Sequence, residues 1–235
     1  MIKTKKHVIY SAQFGAYDEI RKPKNIFKNV DYILFSDTSI EVPEPWINIT
    51  IPVFTIDSIY PGRRMSRYCK ALPHLLMRGW ETCIWIDMTH EVVEEPSQIF
   101  DLYMKNHDVC SFKHENRWCV YDEMNAVYQW KMDHSVNLKR QASFYRTSLY
   151  PENNGLYETS ALIRKNNIKT QTMNSRWWEL MCRYSSRDQI SLPFVLWSLN
   201  MKIDLLPGHA GKNKINNDVI PFIKGHNHEI RVDNH

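Results

Sequence analysis

CIWIDMTHEV, residues 83–92, is the stretch on which the reading of this chain turns. Four apolar residues, Cys83 to Ile86, run without alternation and stop at Asp87. A run so short and so continuously apolar fits a strand buried on both faces rather than one with a wet side. Such strands belong to sheets covered by helices, so the flanking sequence should alternate between strand and helix patterns.

It does. On the N-terminal side, KHVIYSAQF (6–14), DYILFSD (31–37) and WINITI (46–51) read as strands. GRRMSRYCKALPHLLMR (62–78) reads as an amphipathic helix with a basic face, bent at Pro73. On the C-terminal side, SQIFDLYMKN (97–106) reads as a helix capped by Ser97 after Pro96, and DVCSFKH (108–114) as a strand. Helices follow near 118–131 and 134–148, then a strand at 155–165 and a helix at 172–185. SSRDQISLPFVLW (185–197) opens another helix, with Ser185 or Ser186 as its cap and Asp188 in its first turn, and MKIDLLP (201–207) is a last strand. This order predicts an α/β fold: a mostly parallel sheet with helices on both faces. The 235 residues read as a single domain, with halves at about 1–110 and 111–205 and a polar tail at 206–235 expected to fold over the site.

The composition narrows the partners. Hydrophobic residues make up 43% and charged residues 24%, which fits an ordinary globular protein. The net charge of +4 comes from 30 basic and 26 acidic residues spread along the chain, which suits a small anionic ligand and argues against nucleic acid. No apolar stretch approaches the roughly 18 residues of a membrane span. MIKTKKHVIYSAQ has no signal-peptide core. The five cysteines form no CxxC pair and sit mainly in apolar runs, so reduced thiols and a cytoplasmic location are expected.

Ligands of open α/β sheets bind beyond the carboxyl ends of the strands. Asp37 ends ILFSD, Asp87 ends CIWID and His114 ends VCSFKH. Any one of them reads as a turn residue, but three at one edge suggest a polar cleft. Asp87 followed two positions on by Thr89 is a degenerate form of the Asp-x-Asp motif of nucleotide-sugar enzymes, in which the second carboxylate holds Mn2+ or Mg2+ against a diphosphate. Arg63, Arg67 and Lys70, at spacings of four and three, would share a helix face, either as a solvated stripe or as a clamp for phosphate oxygens.

Taken in order, YSAQFGAYDEI, DYILFSD, RRMSRYCK, CIWIDMTHEV, FKHENRWCVYDEM, NGLYETSALIRKN and RWWELMCRYSSRDQISLPFVL resemble a glycosyltransferase family long catalogued as a domain of unknown function. Its plant members include the galacturonosyltransferases of rhamnogalacturonan I, and it has bacterial and viral relatives. The resemblance spans about residues 6 to 205 and implies a GT-A fold. It implies that Phe14, Gly15, Tyr17, Asp18 and Asp37 cradle the nucleoside and that Arg63, Arg67 and Lys70 face phosphates. Asp87 would stand at the metal or donor-sugar position. His114, Arg117, Tyr121 and Glu123 would line the sugar cleft with Arg187. Asp188 and Gln189 would flank the reacting sugar, the first stabilising positive charge and the second orienting. LPGHAGKNK (206–214) is similar to a His-containing segment of glycogenin-like enzymes, which makes His209 a candidate metal ligand. Trp118 and Tyr157, each beside a polar block, are candidates for stacking on sugar, whereas Trp85 and one of Trp177 and Trp178 belong to the core.

The activity implied is transfer of a sugar from a nucleotide diphosphate sugar, UDP-linked by resemblance, to a glycan or other hydroxyl acceptor. It would be metal-assisted and, on the plant pattern, retaining. Glu123 or Asp188 would serve as base in an inverting enzyme. The alternative is a nucleotide-sugar or glycan-binding module that has kept the fold and lost the chemistry, and Thr89 is its support. A nucleotidyltransferase or hydrolase would call for a phosphate loop or a nucleophile elbow, and neither GxxxxGK[ST] nor GxSxG occurs.

Overall fold

In a computed structural model, residues 1–15, 18–54 and 61–208 are described, together with the backbone of short strands at 214–215, 218–219 and 222–224. Seven strands form the central sheet: β1 (His7–Gln13), β2 (Val30–Ser36), β3 (Trp46–Thr50), β4 (Thr82–Ile86), β5 (Val109–Lys113), β6 (Tyr157–Lys165) and β7 (Asp204–Leu206). Their spatial order is β7-β5-β6-β4-β1-β2-β3. β1 pairs in parallel with β2 and β4, β2 with β3, and β5 with β7. β6 alone runs antiparallel, against both β4 and β5. The carboxyl ends of the other six strands therefore share one edge, and the first residues of β6 start there. The sheet is the mostly parallel α/β sheet that the strand and helix pattern predicted.

β4 is covered on both faces. Cys83 and Trp85 point into one core, and Ile84 and Ile86 into the other. The larger core carries α1 (Pro61–Ala71), α4 (Val120–Gln129), α5 (Ser135–Thr147), α6 (Ile168–Arg183) and α7 (Asp188–Ser198), while α3 (Pro96–Tyr103) contributes Ile99 to the smaller one. Trp85 and Trp177 are buried in the larger core, and Trp178 lies partly buried at its margin against Tyr68.

Two local expectations change. The basic helix does not merely bend at Pro73. It ends at Ala71, a four-residue α2 (Pro73–Leu76) follows, and Met77–Arg78 then leaves as a strand beside Ile2–Lys3. The residue before a proline is pushed away from helical geometry, and Leu72 takes φ −117° and ψ 46°. Ser97 does not cap α3. Glu95 occupies that position without a side-chain bond, and Pro96 opens the helix, where its missing N–H does no harm.

The residues after Asp87 also form a short strand, His90–Val92, which the sequence pattern did not suggest. It pairs antiparallel with Phe222–Lys224, so the tail returns to the segment that follows Asp87. Behind that segment, a cavity of about 50 Å³ lies among Ile9, Tyr32, Trp46, Ile86 and Met88. It opens on the face of the sheet opposite the Asp87 side chain and is too small for a sugar.

All five cysteines are free, and only Cys182 is exposed. Burial raises the thiols of Cys69, Cys83 and Cys110, with Cys83 pushed up to about 11. A thiol reagent should therefore react quickly with one cysteine in the native protein and with all five after unfolding; rapid labelling of more than one native thiol would contradict this packing.

Candidate functional site

The parallel strands bring Phe14, Gly15, Asp37, Asp87 and His114 to one edge. Gly15, with φ +76°, donates its N–H to Asp37 Oδ2 at 2.9 Å, tying the loop after β1 to the end of β2. Gly62 lets the start of α1 approach this loop, because a Cβ there would stand 3.1 Å from the Phe14 carbonyl oxygen. Asp18 is partly buried nearby in the chain, and Tyr17 lies outside the described residues.

Asp87 begins a tight turn, its carbonyl accepting from the N–H of His90 at 2.8 Å. Its carboxylate points toward the larger core. Oδ1 accepts from Trp85 Nε1 at 2.7 Å and stands 3.5 Å from Lys70 Nζ. Both donors reach the same oxygen, and the side chain keeps a quarter of its exposure. Burial would raise this carboxyl, but Lys70 and Arg67 outweigh it and hold it below its ordinary value.

Lys70 is 1% exposed and lies beneath the edge rather than on a solvated stripe. Its ammonium bonds Asp188 Oδ2 at 2.6 Å and sits 5.4 Å from the Trp85 ring. Asp188, 2% exposed, also accepts from Thr159 Oγ1 at 2.7 Å, and its Oδ1 stands 3.2 Å from Arg67 Nε in an ion pair that lacks hydrogen-bond alignment. Burial again works to raise the carboxyl. Arg67, then Lys70 and Arg187, overcome it and keep Asp188 well below the usual carboxylate range. Lys70 itself is pulled down by burial, against the opposing pull of Asp188 and Asp87. The result is a closed acid–cation group, Asp87, Lys70, Asp188 and Arg67, in which Arg67 keeps more exposure than Lys70 or Asp188.

The three basic residues of α1 thus part company. Arg63 Nη1 donates to the Met132 carbonyl at 2.8 Å and fastens the helix to the loop after α4, so it does not join Arg67 and Lys70. The last turn of α1 is held from below by Arg164, which is fully buried and bonds the Lys70 carbonyl at 2.6 Å and Asn174 Oδ1 at 2.7 Å. Tyr10 Oη donates to the same Lys70 carbonyl at 3.0 Å and also meets the Arg164 guanidinium. A cation suits this place because helix C-terminal carbonyls carry partial negative charge.

α7 starts differently from its sequence reading. Neither Ser185 nor Ser186 is its cap. Arg187 holds the cap position, its N–H donating to Ser185 Oγ at 3.1 Å. Asp133, in the loop after α4, takes Ser185 Oγ at 2.7 Å and the Ser186 N–H at 2.9 Å, which sets the turn. Asp188 is the first helical residue, and its carbonyl accepts from Trp177 Nε1 at 3.0 Å. The Arg187 charge acts on both Asp188 and His114. Its Nη2 donates weakly to Gln189 Oε1 at 3.4 Å, and its buried Nε finds no acceptor among the described residues.

A second polar group lies beyond β5. His114 Nδ1 accepts from the N–H groups of Asn116 at 3.2 Å and Arg117 at 3.1 Å, so the ring proton belongs on Nε2, 3.7 Å from Glu123 Oε2. Burial draws the His114 ring below its usual value, with Glu123 opposing. Arg117 Nε donates to Glu123 Oε2 at 2.6 Å, and Glu123 is 1% exposed. Tyr121 does not line this cleft; it packs in the core and donates to the Tyr150 carbonyl at 3.1 Å. Trp118, partly exposed, meets Tyr157 edge-on, with Lys113 4.4 Å from its ring, and Arg117 lies 5.2 Å from the exposed Trp130.

Sequence reasoning missed Thr159, Arg164, Asp133 and Trp130, and it saw Trp177 only as a candidate for the core. Arg164 had a visible signal, since it shares strand parity with buried Leu162. The others become partners only through tertiary contact. Among the described residues, no three His, Cys, Asp or Glu side chains converge as a metal site, and His209 lies outside them.

Sheet and site together define an α/β domain with a ligand edge at the carboxyl ends of its parallel strands. Residues 46–213 match the family described as TOD1/MUCI70, glycosyltransferase-like domain, and the chain belongs to that family. It is 25% identical over 229 residues to an Arabidopsis thaliana protein described as "Probable hexosyltransferase MUCI70", covering 84% of this chain and 39% of that relative's length. Among solved structures, it is similar to the bifunctional glycosyltransferase WbbM, at 9% identity and a TM-score of 0.47 over 87% of this chain and 39% of that one. It is also similar to mouse xyloside xylosyltransferase 1, at 10% identity and a TM-score of 0.49 over 87% and 85% of the two chains.

Proposed function

We propose that this domain transfers a glycosyl group from a nucleoside diphosphate sugar to a hydroxyl acceptor, with the donor lying along the edge from Gly15 and Asp37 to Asp87. The observation that carries this reading is the charge arrangement at that edge, where Asp87 and Arg67 keep exposure above a buried Lys70–Asp188 pair. Membership in a glycosyltransferase-like family supports it. A UDP donor and a retaining outcome rest on the family resemblance.

In the transfer, the bond from the anomeric carbon to the diphosphate oxygen breaks, and its electron pair leaves with the diphosphate. The acceptor oxygen forms the new bond, and its proton passes to a leaving phosphate oxygen. Arg67 would meet the charge that develops on the diphosphate. Asp87, through its exposed side, would orient a donor hydroxyl. Asp188 acts beneath them: both its oxygens are engaged and its carboxyl stays ionised, so it holds Lys70 and Arg67 and does not take a proton. Glu123, Arg117 and His114, with the rings of Trp118 and Tyr157, form the acceptor side.

A panel of nucleoside diphosphate sugars tests this by thermal shift and donor hydrolysis. One donor should stabilise the protein and be hydrolysed slowly, with Asp87→Ala weakening both effects. If no donor in the panel raises the melting temperature, the assignment of this edge fails. Stabilisation without hydrolysis or transfer would favour the binding-module reading, for which the internal neutralisation of both acids speaks.

A further inference from the structure

The Asp-x-Asp pattern of nucleotide-sugar enzymes would put a divalent cation beside Asp87, the residue that the family resemblance puts at the metal or donor-sugar position. The described residues do not fit that ion. Thr89 stands where a second carboxylate is needed, is buried, and has its hydroxyl 3.0 Å from His90 Nδ1. Asp188, the other carboxylate facing this point, spends both oxygens on Lys70, Thr159 and Arg67. Asp87 has Oδ1 on Trp85 and within 3.5 Å of the same Lys70 ammonium. A nitrogen cation therefore already stands between the two acids.

We infer that Lys70 and Arg67 take the place of the divalent metal, so that this domain binds its nucleoside diphosphate and moves the sugar without one. The two cations divide the work. Lys70, enclosed at 1% exposure, neutralises Asp87 and Asp188 and keeps the acids from repelling an incoming diphosphate. Arg67, anchored by Asp188 and more exposed, faces the diphosphate oxygens as a planar fork. An ammonium on two carboxylates leaves only part of one of them for an ion that binds through oxygen. Arg164 and Tyr10, by holding the Lys70 carbonyl, keep the ammonium at this point. The inference rests on the nucleotide-sugar reading of the same edge.

Calorimetric titration with UDP, GDP, ADP, CDP and dTDP, each in EDTA and in Mn2+, separates the two claims. The tightest nucleotide should bind in EDTA within about tenfold of its affinity in Mn2+, and Arg67→Ala should weaken it by about tenfold or more in both. Donor hydrolysis by the wild type should likewise survive EDTA. Binding or hydrolysis that appears only with Mn2+ overturns the inference and leaves the transferase reading intact. Absence of binding by every nucleotide in both conditions overturns the donor site and the inference with it. The wild-type comparison is decisive by itself, so a poorly folding variant does not blunt the test.

Discussion

Asp188→Asn should be the most damaging single-atom change in this protein, destabilising it by about 3–5 kcal/mol, because it leaves the buried Lys70 ammonium without its closest counter-charge. The substitution keeps the size of the side chain, so the loss is electrostatic and not a cavity. Urea denaturation measures it. Lys70→Met alone should also be costly, since Asp188 then stays buried with only the Thr159 hydroxyl and the Arg67 and Arg187 charges to hold it. The double variant should recover part of the sum, because the two groups are in contact and their effects do not add. An additive cycle would show that the 2.6 Å bond contributes little.

The same pair sets an acid limit. The Asp188 carboxyl is depressed in the folded protein, so its stabilising contribution is complete above its unfolded value of about 3.9 and is lost as pH falls below that toward the folded value. The wild type should therefore lose stability steeply between about pH 4 and pH 2, and Asp188→Asn should show a flatter profile in that window. Parallel profiles would mean that other carboxylates govern acid unfolding.

Trp177→Ala should cost about 3–5 kcal/mol, as a fully buried ring leaves a large cavity between α6 and α7. Trp177 also has a second task. Its indole N–H bonds the carbonyl of Asp188, so the core is tied directly to the first residue of α7. Trp177→Phe keeps most of the packing and deletes that bond, and it should cost roughly 1–2 kcal/mol. Donor hydrolysis per folded molecule should fall in Trp177→Phe, since the start of α7 loosens. Hydrolysis at the wild-type rate would show that α7 is positioned by Asp133 and Ser185 alone.

The site residues show where local pattern stops. Asp37, Asp87 and His114 were readable as an edge because each ends an apolar strand; parallel pairing carries Asp37 and Asp87 to one side, and two antiparallel pairings through β6 bring His114 to the same side. The basic face of α1 was readable as spacing, but spacing does not say what a helix face meets. Arg63 found a backbone carbonyl, whereas Arg67 and Lys70 met opposite oxygens of one buried acid, Asp188. Tyr121 was expected to line the sugar cleft beside His114 and yet turned into the core, because α4 packs that side against Tyr150.

By itself, then, the sequence determined the order of strands and helices, the burial of CIWI on both faces, and the alignment of acids at strand ends, since these follow from hydrophobic periodicity within a few residues. The tertiary structure alone decided which charges are partners. Lys70 and Asp188 lie 118 positions apart, and Arg164 and Lys70 lie 94 apart. A buried ammonium needs a carboxylate within about 4 Å. Nothing in local spacing specifies which of the chain's acids will be carried there, because that depends on how α1 and α7 cross the sheet.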